Sequence, residues 1–142
     1  MASVHDAAAY ILEKTGPITT WKLQKLVYYA QAWSLVWDER PLFQARIEAW
    51  ANGPVVPALY REHRGLFRVG SWPKGNSHHL TKSERETVDS VLKFYGDKPS
   101  QWLSDLTHAE EPWKQARSGL SPGERGNAEI TLESMAEYYG SL

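Results

Sequence analysis

The strongest candidate for chemistry in the sequence is a polar cluster between residues 107 and 113. Thr107 and His108 are followed closely by Glu110, Pro112 and Trp113. A threonine can cap a helix, and a histidine ring can hydrogen-bond on both of its sides. These side chains either lock the corner between two short helices or form a polar binding site. The locking role is favoured, and the binding role stays open.

The histidines do not have the spacing of a helical zinc site. Such a site needs two histidines four residues apart, with a glutamate between them. His78 and His79 are adjacent, so in an extended chain they point to opposite sides. We therefore expect no metal ion and no cofactor.

The glycine motifs do not indicate nucleotide chemistry. The sequence has no GxxxxGK[ST] loop, no GxGxxG after a strand and no GxSxG elbow. Gly123-Glu124-Arg125-Gly126 matches a nucleic-acid GxxG loop only superficially, because its flanking helices and basic surroundings are weak. With no catalytic motif, the chain is predicted not to be an enzyme.

Residues 50–57, WANGPVVP, combine turn formers with apolar side chains. We expect Gly53 at a positive φ, which only glycine adopts at little cost. Pro54 suits the first position of a helix that ends near Arg64. Val55 is then either a core residue or an apolar group presented to a partner.

Helix signals predict seven helical segments that position these motifs. N-cap residues, apolar spacing and Gly or Pro stops place them near 4–14, 20–37, 54–64, 82–95, 100–106, 111–117 and 132–139. Residues 43–50 alternate in polarity, and a small β-hairpin, if it forms, pairs them with residues 66–69. The predicted fold is mainly α: a compact single-domain helical bundle over residues 1–142, with room for one small β-hairpin.

The longest predicted helix, residues 20–37, has one apolar stripe that is expected to face the core. The stripe consists of Leu23, Leu26, Val27, Ala30, Trp33 and Trp37. Lys22 and Lys25 lie off this stripe and are expected to face solvent. Trp21, Tyr28 and Tyr29 are also off it, and are either covered by other elements or available to a partner. Val27 and Ala30 on this helix are expected to be largely buried. The same is expected of Leu92 and Leu106 in later helices.

Composition indicates a folded domain that is rich in large aromatic rings. The 142 residues are 42% hydrophobic and 23% charged, near the averages for globular proteins, and the length fits one domain. Seven Trp and seven Tyr accompany only three Phe. Trp and Tyr combine a large apolar area with a polar tip, which suits half-buried positions and interfaces.

Charge and cysteine content limit the partners and the compartment. With 16 Lys+Arg against 17 Asp+Glu, the chain lacks the basic excess expected of a nucleic-acid-binding domain. The absence of cysteine excludes disulfides and Cys-based zinc sites. No apolar stretch approaches the roughly 20 residues of a membrane span. We expect a cytoplasmic protein with no membrane partner.

Several motifs, taken in order, resemble those of the Panacea antitoxin domain, which also occurs in SocA-like and phage-associated GepA-like proteins. They are Lys22–Gln31, Leu42–Phe43, Ile47–Trp50, Gly53–Pro57, Leu59–Tyr60, Leu106–His108 and Glu111–Trp113. These motifs span most of the chain and occur in a fixed order. The resemblance implies no catalytic residue set.

The resemblance implies an antitoxin of a bacterial or phage toxin–antitoxin system. Family members pair with unrelated toxins and block them by direct binding, so the expected partner is a cognate protein toxin. Some members resemble adaptors that deliver a toxin to a protease, and a Clp-type protease is therefore an alternative partner. A second alternative is a DNA-binding transcriptional regulator, in which residues 18–31 imitate a helix-turn-helix.

On this interpretation, the toxin is expected to contact aromatic, basic and turn-exit side chains. The predicted partner-binding residues are Trp21, Lys22, Lys25, Tyr28, Tyr29, Trp50, Val55, Tyr60, His108 and Trp113.

Overall fold

Seven α-helices account for most of the chain in the computed structural model, which describes all residues from Met1 to Leu142. They are α1 (Val4–Thr15), α2 (Thr20–Trp37), α3 (Pro57–His63), α4 (Lys82–Tyr95), α5 (Ser100–Ala109), α6 (Glu111–Ala116) and α7 (Leu132–Gly140). The predicted mainly helical fold is confirmed. None of these helices is both long and apolar enough to cross a membrane.

Four short strands form two separate antiparallel pairs. β1 (Ile18–Thr19) pairs with β4 (Arg68–Val69), and β2 (Glu48–Trp50) pairs with β3 (Gly53–Val55). The prediction that residues 43–50 pair with residues 66–69 is therefore wrong. The two-residue turn between β2 and β3 brings these strands together at a much smaller loop-closure cost than a longer connection would.

The segment after this turn also differs from its prediction. Gly53 has a φ of +127°, as expected for a position that suits glycine. Pro54 lies in β3, however, and the helix begins at Pro57. Val56 is extended, with φ −93° and ψ 107°, so the chain enters α3 only after it. Pro57 then occupies the start of the helix, where a missing N–H costs no hydrogen bond.

Two buried glutamines of α2 hold the loops that pack around it. The Gln24 side chain accepts a hydrogen bond from the Val56 N–H at 2.8 Å and donates to the Val56 carbonyl at 3.3 Å. In the same way, Gln31 accepts from the Leu42 N–H at 2.7 Å and donates to the Phe43 carbonyl at 2.9 Å. The two amides thus satisfy the buried N–H groups of Leu42 and Val56, which have no backbone hydrogen-bond partner.

Helix α2 passes through the centre of the fold, packed against α1, α4, α5 and α7. Every residue from Leu23 to Ala32 is buried, which is the pattern of an enclosed helix rather than an amphipathic one. The expected solvent exposure of Lys25 is therefore wrong, and Tyr28 and Tyr29 are covered by other elements. An enclosed α2 cannot enter a DNA groove as a recognition helix, which argues against the DNA-binding alternative.

The predicted core is only partly correct. Val27 and Ala30 are fully buried, as expected, but Leu92 and Leu106 are half-buried and pack against the edge of the core. Trp37 was assigned to the buried stripe, yet its side chain is 50% exposed. It is the last residue of α2 and lines an open groove together with side chains of α4 and α5.

Helix starts follow their local signals closely. At α4, the Thr81 side chain accepts from the Glu84 N–H and the Glu84 carboxylate accepts from the Thr81 N–H, which is the predicted capping box. Ser3 and Asp6 form a second capping box at α1. Thr131 caps α7, as expected.

Gly53→Ala is expected to lower the free energy of unfolding by about 3 kcal/mol. A Cβ at this position would lie 2.9 Å from Lys25 Cε and would also carry the strain of the positive φ. Gly119→Ala is the matched control, because Gly119 has a φ of +90° but nothing within 4 Å of its added Cβ. The control should lose only about 1 kcal/mol. Equal losses in urea denaturation would show that the contact with Lys25 does not matter.

Candidate functional site

An open cleft of about 610 Å³ lies between the start of α2 and the β2–β3 hairpin. We call it the aromatic cleft. Its rings come from three different elements: Trp21 from α2, Trp50 from β2 and Tyr60 from α3. The remaining lining consists of Glu48, Ala51, Asn52, Arg125, Gly126 and Asn127.

Contacts within the protein hold these rings in place. The Tyr60 ring lies 4.9 Å from the Trp50 ring at 69°, and 6.3 Å from the Trp21 ring, measured between centroids. The Trp50 indole N–H donates to Glu48 Oε1 at 2.8 Å, and Arg46 Nε donates to the other carboxylate oxygen at 2.8 Å. Rings that are already fixed lose less conformational freedom when a partner binds.

His108 and Trp113 form a stacked corner beside the hairpin. Their ring centroids are 4.1 Å apart at 18°, and the Trp113 indole N–H donates to the Trp50 carbonyl at 2.8 Å. Thr107 donates to the Ser104 carbonyl at 2.9 Å within α5. The favoured locking role of this cluster agrees with the geometry. One polar atom is left over, because His108 Nε2 is buried without a hydrogen-bond partner.

Lys25 carries the unusual charge of this region. Its side chain is only 2% exposed, and no hydrogen bond or ion pair of the structure involves it. The ammonium lies 5.7 Å from the centroid of the Trp21 ring, and its stem packs against Gly53. Burial lowers the pKa of Lys25 to about 8. Burial is also the main reason that the pKa of His108 is lowered.

The structure brings together six of the predicted partner-binding residues. Trp21, Trp50 and Tyr60 line the cleft. Lys25 lies near the Trp21 ring, and Trp113 donates to the Trp50 carbonyl. His108 stacks on Trp113, and these two rings line a separate pocket beside Lys114 and Arg117. Lys22 is half-buried and is not part of the cleft lining.

Three predicted residues are not available to a partner, namely Tyr28, Tyr29 and Val55. Val55 is fully buried because β3 packs against α2 rather than projecting from a turn. The two tyrosines belong to the interior because α7 and α4 cover the faces of α2 that carry them.

The buried tyrosines form a hydrogen-bond network around Glu110. The hydroxyls of Tyr29 and Tyr139 each donate to Glu110 Oε1 at 2.7 Å. The Tyr28 hydroxyl lies 3.0 Å from that of Tyr139. Burial raises the pKa of Glu110, although the two tyrosine hydrogen bonds act in the opposite direction. This network joins α2, α7 and the junction of α5 with α6.

Sequence reasoning missed a second concave surface, which we call the apolar groove. It has a volume of about 580 Å³ and lies between α2, α4 and α5, about 20 Å along α2 from the cleft. Its exposed rings are Trp37, Phe94 and Trp102, at 50%, 62% and 40%. Phe94 could have indicated this surface from the sequence, because it is a large apolar residue outside the predicted apolar face of the 82–95 helix, which consists of Val88, Val91, Leu92 and Tyr95.

Neither surface offers a metal site. No group of three His, Asp or Glu side chains in the structure is placed to hold a metal ion.

The sequence is similar to one described protein family. Residues 23–114 match the family model described as "Antitoxin SocA-like, Panacea domain". A relative named Antitoxin SocA, from Caulobacter vibrioides (strain NA1000 / CB15N), is 49% identical over 122 residues, covering 72% of this chain. The match spans 62% of that relative, so the chain corresponds to less than two thirds of its length. No solved structure matches the chain.

Proposed function

Because this chain belongs to the SocA-like Panacea-domain antitoxin family, we propose that it neutralises a cognate protein toxin by binding it directly in the aromatic cleft. Similarity to Antitoxin SocA supports the antitoxin role, and the geometry of the cleft supports direct binding. The expected compartment for this interaction is the cytoplasm.

The observation that carries this proposal is the convergence of Trp21, Trp50 and Tyr60 in one open cleft. Trp, Tyr and Arg are the residue types that most often dominate the free energy of protein–protein binding, and Arg125 lines the same cleft. The rings are anchored by contacts with each other and with Glu48, so they present a surface that is ordered before the toxin arrives.

The cleft is a better candidate than the apolar groove because it combines rings with polar groups. Asn52, Arg125 and the adjoining backbone offer hydrogen bonds that fix the orientation of a partner. The groove, by contrast, is lined mostly by apolar side chains, with Ser90 and Glu110 as its polar residues. It provides a natural comparison surface at the far end of α2.

Co-expression with the cognate toxin in a host that lacks Clp proteases tests this proposal. Direct binding predicts that the chain restores growth in this host as fully as in the parent strain, and that the two proteins copurify as a complex. Protection that disappears without the protease would favour the adaptor alternative. A failure to protect either host would contradict the antitoxin role itself.

A further inference from the structure

We propose that the apolar groove binds a small organic ammonium ion, whose apolar body packs against the rings of the groove and whose ammonium group lies beside the carboxylate of Glu110. Two features of the groove carry the proposal: its aromatic walls and a nearly buried carboxylate that lacks a counter-charge. This site is separate from the aromatic cleft, because the two surfaces share no lining residue. A ligand in the groove is therefore compatible with a toxin in the cleft.

The walls of the groove are mainly aromatic. Helix α2 contributes Trp33 and Trp37, α4 contributes Phe94 and Tyr95, and α5 contributes Trp102. The Trp33 and Trp37 rings are stacked with centroids 4.9 Å apart, and Phe94 meets Tyr95 edge-on at 4.7 Å. The face of an aromatic ring carries partial negative charge, so it attracts a cation as well as apolar groups. Walls of this kind suit a ligand that is both apolar and positively charged.

The carboxylate of Glu110 is the only charged side chain that lines the groove. Glu110 is only 6% exposed, and its Oε1 atom accepts the hydrogen bonds of Tyr29 and Tyr139. Its other oxygen, Oε2, accepts no hydrogen bond from the chain. His108 Nε2 is the one fully buried polar side-chain atom without a partner, so Oε2 keeps some contact with solvent. Because Glu110 lines the groove, this oxygen is open to a ligand there.

No cation of the chain neutralises this carboxylate. None of the ion pairs of the structure involves Glu110. The Lys98 ammonium lies 5.1 Å from the centroid of the Trp102 ring, so one wall of the groove already contacts an ammonium group that does not pair with Glu110. Burial raises the pKa of Glu110, and the two tyrosine hydrogen bonds oppose this effect. A cation beside Oε2 would stabilise the charged form of Glu110 and offset the cost of burying it.

The size and composition of the groove favour a small ligand of this class. Its volume of about 580 Å³ lies within the range of about 300–1,000 Å³ that is common for small-molecule sites. An anion would be repelled by Glu110, and a neutral apolar molecule would leave the carboxylate without a counter-charge. The ammonium group of a protonated primary amine can donate a hydrogen bond to Oε2, and such charge-assisted bonds are stronger than neutral ones. Of these ligand types, an ammonium ion with an apolar body matches both features.

Three probes that carry a phenyl ring on a short carbon chain test the site by isothermal titration calorimetry at pH 7. They are phenylbutylamine, which is protonated at this pH, the neutral phenylbutanol and the anion phenylbutanoate. The wild type should bind the amine about 10-fold more tightly than the alcohol, because only the ammonium ion supplies a counter-charge, and it should not bind the anion measurably. Equal binding of the amine and the alcohol, or no binding of either, overturns the proposal.

Glu110→Gln and Ser90→Trp locate this binding in the groove. Glutamine keeps an oxygen for the two tyrosine hydroxyls but has no charge, so Glu110→Gln should bind phenylbutylamine about 10-fold more weakly and no better than phenylbutanol. Ser90→Trp should lose both ligands, since Ser90 is an exposed residue of the groove lining and the new ring fills the groove. Asn52→Trp, in the aromatic cleft, is the matched control and should bind the amine within about twofold of the wild type. Unchanged amine binding by Ser90→Trp would contradict a site in the groove.

A second copy of the chain is the alternative occupant of the groove, because three large rings are exposed there. Analytical ultracentrifugation with and without phenylbutylamine distinguishes the two. A small-molecule site predicts that the amine does not change the sedimentation of the wild type and that Ser90→Trp sediments like the wild type. A wild-type dimer that Ser90→Trp converts into a monomer would assign the groove to contact between two copies and would overturn the proposal.

Discussion

Glu110→Ala is expected to lower the free energy of unfolding by about 4 kcal/mol, whereas Glu110→Gln should leave it unchanged or higher at pH 7. Alanine removes the acceptor of two buried hydroxyls, those of Tyr29 and Tyr139, and leaves a cavity beside them. Glutamine keeps a carbonyl oxygen for both donors and removes a charge that burial disfavours. Urea denaturation of the three proteins measures the difference. If Glu110→Gln lowers the free energy of unfolding as much as Glu110→Ala does, the network depends on the charge of the carboxylate.

The stabilities of the wild type and of Glu110→Gln should depend differently on pH. Because the pKa of Glu110 is raised in the folded state, the folded protein holds the proton of the Glu110 carboxyl group more tightly than the unfolded chain does. The contribution of Glu110 to stability is therefore fully present below its unfolded pKa and is lost as pH rises through the folded pKa. Relative to Glu110→Gln, the wild type should become less stable as pH increases from 4 towards 7. A difference that is constant with pH would contradict the raised pKa.

Features that depend on neighbouring residues in the sequence were predictable. The bounds of α2 agree with the prediction to within a residue, because Thr19 caps its first turn and the apolar residues continue to Trp37. The capping box of Thr81 and Glu84 and the positive φ of Gly53 are similarly local. In each case the residues that determine the geometry lie within a few positions of one another.

Features that depend on long-range packing were not predictable. The stripe on α2 led to the expectation that Lys25 faces solvent, but a helix enclosed on all sides has no solvent face. The partner of Tyr29 is Glu110, which lies 81 positions away in the sequence. The pairing of β2 with β3 is a different case, because only two residues separate these strands, and it was missed because Pro54 was assigned to a helix instead of a strand. No local pattern specifies which distant segment covers a given surface.

The candidate site was predicted in part. Trp21, Trp50 and Tyr60 were named as separate aromatic residues, but the sequence did not indicate that they meet in one cleft. His108 and Trp113 were expected either to lock a corner or to bind a partner, and their stacked rings agree with the first of these roles. The apolar groove was missed because Trp37 was assigned to the core, although its side chain is half exposed at the last position of α2.

Asn52→Trp is expected to weaken toxin binding about 100-fold by placing a new ring in the aromatic cleft. Asn52 is an exposed turn residue that lines the cleft, so the added side chain occupies the space proposed for the toxin without removing core contacts. Ser90→Trp is the matched control, because Ser90 is an exposed polar residue that lines the apolar groove. Both variants should fold like the wild type, since surface changes usually alter stability by only about 0.5 kcal/mol.

The affinity of these two variants for the purified cognate toxin, measured by isothermal titration calorimetry beside the wild type, tests the location of the toxin-binding surface directly. Binding in the aromatic cleft predicts the large loss for Asn52→Trp and a change of less than about threefold for Ser90→Trp. The reverse pattern, with Asn52→Trp binding like the wild type and Ser90→Trp losing the toxin, would contradict the account and assign the interaction to the apolar groove.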